Sequence, residues 1–89
     1  MARVRFTPNL MRHVDCPACQ AQGRTVREVL DGVFTEHPAV RDYVVDERGA
    51  LRKHMAVFVD GQAVVDRDFL GDSVGDDSEI YVVQALSGG

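Results

Sequence analysis

The sequence predicts an α+β fold, with one main helix packed across one face of a mixed sheet of four to five strands. Three observations lead there. A capped stripe of apolar residues between Thr25 and Pro38 has the period of a helix. An Asp60-Gly61 pair stands between two apolar runs, which signals a hairpin because both turn positions favour positive φ. The final run, "IYVVQAL", is apolar almost without a break, as a central strand is. The chain has 89 residues, 45% of them hydrophobic and 27% charged, the length and balance of a single soluble domain.

The elements follow in order. "RVRFTP" alternates, with Val4 and Phe6 on one side and Arg3, Arg5 and Thr7 on the other, and reads as a half-buried strand that Pro8 limits. "CPACQAQGR" is short and polar, and reads as a turn with a short returning strand. Thr25 and Glu28 have capping-box spacing: the hydroxyl accepts from a first-turn amide, and the carboxylate reaches back to the cap amide. Val26, Val29, Leu30, Val33 and Phe34 then form one helical stripe, weakened a little by Gly32 and stopped by Pro38. "AVRDYVVD" fits a short second helix or irregular chain, and "ERGALRK" a polar connection. "HMAVFVDGQAVV" is a strand, a turn and a shorter strand, with Met55, Val57 and Val59 inward. "DRDFLGDSVGDDSE" is acidic and rich in turn residues. In the last strand Ile80 and Val82 share one face, and Tyr81, Val83 and Ala85 the other.

Composition narrows the function. The net charge of −4 is uneven: residues 1–59 carry nine basic and seven acidic groups, residues 60–89 one basic group, Arg67, against seven acids. A segment of one sign repels phosphate backbones, so nucleic acid is not an expected partner. No apolar run approaches the length of a membrane helix, and the N-terminus lacks the pattern of a signal peptide, so the expectation is a cytoplasmic protein without membrane association. Two cysteines make no disulfide framework. Cys16-Pro17-Ala18-Cys19 has the spacing of a redox pair or half a zinc knuckle. A redox pair draws its low thiol pKa from a helix N-terminus, and the next helix starts only at Thr25. A structural zinc takes four ligands, whereas His13, Cys16 and Cys19 supply three, leaving His37, His54 or another copy of the chain for the fourth. Turn cysteines without metal are the favoured reading, with no bound metal or cofactor. No Ser-His-Asp set, phosphate-binding loop or carboxylate pair is legible.

The chain as given closes on "LSGG". Glycine lets a backbone come close to another surface, and a carboxylate on such an arm can be threaded into a narrow pocket. A strand pair, a capped helix, the Asp60-Gly61 hairpin, the run "DSVGDDSEIYVVQA" and Gly88-Gly89, in that order, resemble the ubiquitin-like sulfur carriers, which include the molybdopterin synthase small subunit and the thiamine-pathway carrier. The resemblance implies a β-grasp domain over residues 1–86 and a flexible tail over 87–89. It implies a protein substrate rather than an enzyme. An ATP-dependent activating enzyme, using ATP and Mg, adenylates the terminal glycine, and sulfur from a sulfurtransferase or cysteine desulfurase converts it to a thiocarboxylate. A biosynthetic enzyme making a cofactor, amino acid or thioacid then accepts the sulfur. Carried over, Gly89 bears the acyl group and Gly88 is the slim residue that fits the partner's channel. Two features depart from the family: Gln84, Ala85, Leu86 and Ser87 stand where many relatives have proline or small apolar residues, and "CPAC" has no counterpart. A ubiquitin-like modifier forming isopeptides through Gly89 and a metal or redox module on Cys16 and Cys19 are the alternatives. Lys53, the one lysine, leaves a chain-forming modifier only that side chain or the N-terminus as a site.

A carrier must be held while its tail enters another protein. The expected handle is an apolar patch of Phe58, Tyr81 and Val83, rimmed by the acidic run that includes Asp76 and Asp77, with Leu86 and Ser87 beside it. Its expected counterpart is a basic-rimmed groove on the activating enzyme.

Overall fold

The computed structural model describes residues 1–7 and 19–84. Strand β1 (Ala2–Phe6) buries Ala2, Val4 and Phe6 and exposes Arg3 and Arg5, as the alternation requires. Strand β2 (Cys19–Ala21) returns antiparallel beside it, with Val4 opposite Cys19 and Ala2 opposite Ala21. Helix α1 (Val26–Glu36) buries the predicted stripe of Val26, Val29, Leu30, Val33 and Phe34. Helix α2 (Pro38–Val44) follows directly, so the open choice for this segment resolves as a short helix, with Val40 and Val44 in the core. Pro38 both ends α1 and opens α2, since its missing N–H costs nothing in a first turn. Strands β3 (Met55–Val59), β4 (Gln62–Ala63) and β5 (Glu79–Gln84) complete a five-stranded sheet in the order β2-β1-β5-β3-β4. β5 is central, parallel to β1 and antiparallel to β3, which makes the sheet mixed. The architecture is the predicted α+β arrangement, a β-grasp.

Two local expectations are refined. Thr25 caps α1 by accepting from the Glu28 amide at 3.2 Å, but Glu28 Oε1 accepts from the Arg24 amide rather than from the cap itself. The reason is tertiary: Thr25 bridges Ser73, and the Val26 and Arg27 amides donate to the carbonyls of Asp72 and Leu70. The 70–74 segment therefore satisfies first-turn amides that a lone helix would leave to its own side chains. Gly32 has a packing reason for its place. A Cβ there would meet the Ala21 Cβ at 3.2 Å, so its absence lets α1 lie close on β2.

Asp60 (φ 51) and Gly61 (φ 88) both adopt the positive φ that a two-residue hairpin turn demands. Leu51 and Leu70, which lie in segments read as polar, are buried in the same core as the stripe. Cys19 also contributes its side chain to that core. The expected tail at 87–89 lies outside the described residues, and so do Leu86, His13 and Cys16.

Candidate functional site

Strand β5 organises both surfaces of interest. Its alternation sends Ile80 and Val82 into the core and leaves Tyr81 on the sheet face away from α1, 40% exposed. Register does the rest. Phe58 of β3 lies directly opposite Tyr81, and Ala56 opposite Val83, so these side chains share that outer face. On the other flank Arg5 of β1 lies opposite Tyr81, and Arg3 opposite Glu79. The outcome is a shallow depression lined by Arg5, Phe58, Asp60, Gly61, Glu79, Tyr81 and Val83. Phe58, Tyr81 and Val83, expected together from sequence, are brought together.

The acidic rim is a different matter. Glu79 borders the depression, but it stands 3.5 Å from the Arg5 guanidinium and is partly neutralised by it. Asp76 lines a separate, polar depression with Met1, Ala2, Gln22, Gly23, Arg24 and Glu28, and Asp77 lies in the same turn ahead of β5. Both precede the start of β5, whereas the chain proceeds toward Gly89 from its far end at Gln84. Five residue steps of strand separate those ends by roughly 17 Å. Asp76 thus lines a depression other than the one that Phe58, Tyr81 and Val83 share, while the tail beside which the rim was expected lies outside the described residues.

Several of the remaining acids are occupied as architecture. Asp72 accepts from the Val65 and Asp66 amides, both at 2.9 Å, and Asp66 from those of Phe69 and Gly71. Asp60 accepts from the Glu79 amide and the Ser78 hydroxyl, tying the β3–β4 turn to the start of β5. The Val65 and Asp66 amides hold the Asp72 carboxyl below its ordinary value of 3.8. For Asp46, burial pushes upward, but the Ala50 and Arg48 amides together with the charges of Arg48 and Arg52 outweigh it, and its carboxyl also lies low.

At the Gln84 end the described neighbours include basic residues. Met55 pairs with Gln84, and the turn before Met55 carries Arg52, Lys53 and His54. Arg67 Nη2 donates to the carbonyls of Arg52 (2.9 Å) and Met55 (2.8 Å), which brings a further guanidinium to this end. Composition alone gave no sign of this cluster, because Arg67 comes from the otherwise acidic segment and reaches it only through the fold. Among the described residues no group of three or more His, Cys, Asp or Glu could hold a metal ion. Cys16 and His13, which the metal alternative needs, are outside them, as are Leu86, Ser87, Gly88 and Gly89. No helix of the described residues is long and apolar enough to cross a membrane.

Known proteins share this architecture. A chain of the BexX/CysO complex of Amycolatopsis orientalis superposes with a TM-score of 0.87 at 26% identity, with all of both chains covered. CysO of Mycobacterium tuberculosis superposes at 0.84 and 17% identity over 97% of this chain and 100% of its own. SAMP1 of Haloferax volcanii does so at 0.80 and 24% identity over 99% and 98%. No curated protein matches the chain by sequence. The ThiS family does, over residues 15–89, a span that begins just before Cys16 and runs through Gly89. With the mixed sheet, the central β5 and the capped α1 already in place, the conclusion is that this chain belongs to the ThiS family of ubiquitin-like, β-grasp sulfur carriers.

Proposed function

We propose that the chain carries sulfur as a thiocarboxylate on Gly89. A partner enzyme adenylates the Gly89 carboxylate with ATP and Mg, releasing pyrophosphate. A persulfide on a sulfurtransferase or cysteine desulfurase then attacks the acyl adenylate and expels AMP, and a thiol reduces the resulting acyl disulfide, releasing the thiocarboxylate. The thiocarboxylate passes its sulfur to a biosynthetic enzyme, and the carboxylate is restored. In this reading the chain is substrate and carrier, and the catalysis belongs to its partners. Gly88 adds no side chain to the stretch that a partner's channel must admit. The outer face of the sheet, with Phe58, Tyr81 and Val83, is the handle by which the activating enzyme grips the domain.

The observation that carries the reading is the family match through Gly89. The place of β5 supports it: a strand flanked by β1 and β3 fixes Gln84 against Met55, so that whatever follows starts from an anchored point. The BexX/CysO complex adds that a chain of this shape is found in a complex with a second protein.

The test is incubation of the purified chain with its adenylating enzyme, ATP, Mg and a sulfur source, followed by intact mass. The expected gain is one oxygen-to-sulfur replacement at Gly89, absent from a chain lacking that residue although its fold is kept. Sulfur transfer by the shortened chain at the full rate overturns the proposal. An adduct between Gly89 and a target lysine, with no thiocarboxylate, favours the isopeptide-forming modifier instead.

A further inference from the structure

The chain carries a net charge of −4, yet cations stand among the described residues at the end of the sheet where β5 finishes. Among the described residues Arg52, Lys53 and Arg67 gather there. Lys53 is exposed in the turn that leads into Met55, the residue paired with Gln84. Arg52 precedes it, with Nε donating to the carbonyls of Asp42 (2.7 Å) and Val45 (3.1 Å). Arg67 is pinned by the carbonyls of Arg52 and Met55. Backbone carbonyls orient these guanidiniums without neutralising them. Among the described residues the ion pairs are Arg5–Glu79 and Arg41–Asp42, and neither involves this group. Asp46 feels the charge of Arg52, and Asp66 and Asp68 flank Arg67 in sequence. Of these acids, Asp66 holds the Phe69 and Gly71 amides and Asp46 those of Arg48 and Ala50, whereas Asp68 is exposed beside Arg67, and Lys53 faces water.

The acids at the other end do not cancel this field. Asp60, Asp76, Asp77 and Glu79 lie at the start of β5 or beyond it, roughly 17 Å or more from Gln84 by strand rise. The screening length in physiological salt is about 8 Å. Among the described residues, a surface approaching the Gln84 end meets the exposed Lys53, with the Arg52 and Arg67 guanidiniums beside it.

We propose that this cluster is a docking lip, and that the protein receiving the tail presents carboxylates around the mouth of its channel. The inference rests on the sulfur-carrier reading for the identity of that protein, the activating enzyme. It reverses the sign of partner that the sequence suggested. A cationic lip steers an acidic mouth to the end of the domain from which the chain continues, so attraction and threading coincide.

Lys53 makes the idea testable, because the chain has no other lysine. Association with the adenylating enzyme is followed by stopped flow at low and high salt for the native chain, Lys53→Glu, Lys53→Gln, and Asp76→Lys with Asp77→Lys. The expected result is association slowed about three- to tenfold by Lys53→Glu at low salt, an intermediate effect for Lys53→Gln, and loss of both effects at high salt. Reversal at Asp76 and Asp77 changes the rate less than about twofold. A zero-length carbodiimide, which condenses a carboxylate with an amine and expels the oxygen into a urea, should join Lys53 to an Asp or Glu of the enzyme. Lys53→Arg keeps the charge and the association rate but loses that crosslink. Native association by Lys53→Glu at low salt overturns the lip, as does a larger effect from Asp76 and Asp77. Thiocarboxylate yield at the endpoint is read in the same samples. If every variant reaches full yield and only the rate analysis is flat, the lip alone fails. If no variant, native included, is ever converted, the carrier reading fails with it.

Discussion

At the scale of single residues, Asp60, Asp66 and Asp72 of the acidic last third act as acceptors for the backbone. Asp72 is the clearest case, holding the Val65 and Asp66 amides with its two oxygens. Those bonds favour the ionised form and place its native carboxyl below 3.8. With a lowered native pKa, the unfolded chain binds the proton first as acid is added. The contribution of Asp72 is therefore complete above the ordinary carboxylate value, and is lost as pH falls from there through the lower native one. Asp72→Asn keeps the shape but offers one acceptor oxygen for two amides. It should lower the melting temperature at neutral pH and flatten the loss of stability below about pH 4. An unchanged acid limb in melting curves of Asp72→Asn would show that other carboxylates govern it.

At the scale of elements, the segment between β4 and β5 shows what a single sequence conceals. The stripe of α1 and the Asp60-Gly61 hairpin were legible because their signals are local: a period, a cap, a turn pair. Leu70 was not. It stands with Phe69 among polar residues, with no period to mark it, yet it is 1% exposed and adopts φ 54, a left-handed conformation that disfavours a residue with a Cβ. Its neighbour Phe69 is 73% exposed. The turn closed by the Leu70 amide on the Asp66 carbonyl settles which of the two points inward, and Arg27 braces it through a 2.7 Å bond to the Phe69 carbonyl. Hydrophobicity alone would have buried the phenylalanine. The same limit explains Leu51, and it explains why Asp76 lies ahead of β5 in a depression apart from Phe58 and Tyr81, since the end of a strand at which a charge lies is a property of topology. Leu70→Ala should cost about 2–5 kcal/mol, through lost contacts and a residual cavity, while Phe69→Ala should change stability by less than about 0.5 kcal/mol. Denaturant melts of the two variants decide this, and equal losses would mean that Phe69 has a packing role its exposure does not suggest.

At the scale of the whole molecule, the sheet separates its tasks by face and by end. One face lies under α1 and supplies the core; the other carries the Phe58–Tyr81 pair and Val83; acids gather where β5 begins and cations where it finishes. Two kinds of contact with one partner then follow, and kinetics can tell them apart. Charges around a rim act on association and lose their influence in salt, whereas an aromatic buried at the centre of an interface acts on dissociation and is nearly indifferent to salt. Phe58 is already half-buried beside Tyr81, so little further ordering is needed when a partner covers the pair. Replacing both by alanine should speed dissociation from the proposed activating enzyme about tenfold or more at any ionic strength, the size expected of a central aromatic contact. Association at low salt should stay near the native value, because Arg52, Lys53 and Arg67 remain. Some stability is also lost with the cross-strand pair, so the comparison belongs at a temperature where melting curves show the variant folded. A variant that dissociates at the native rate would remove the outer face of the sheet from the contact, and leave the grip on this carrier to its tail end alone.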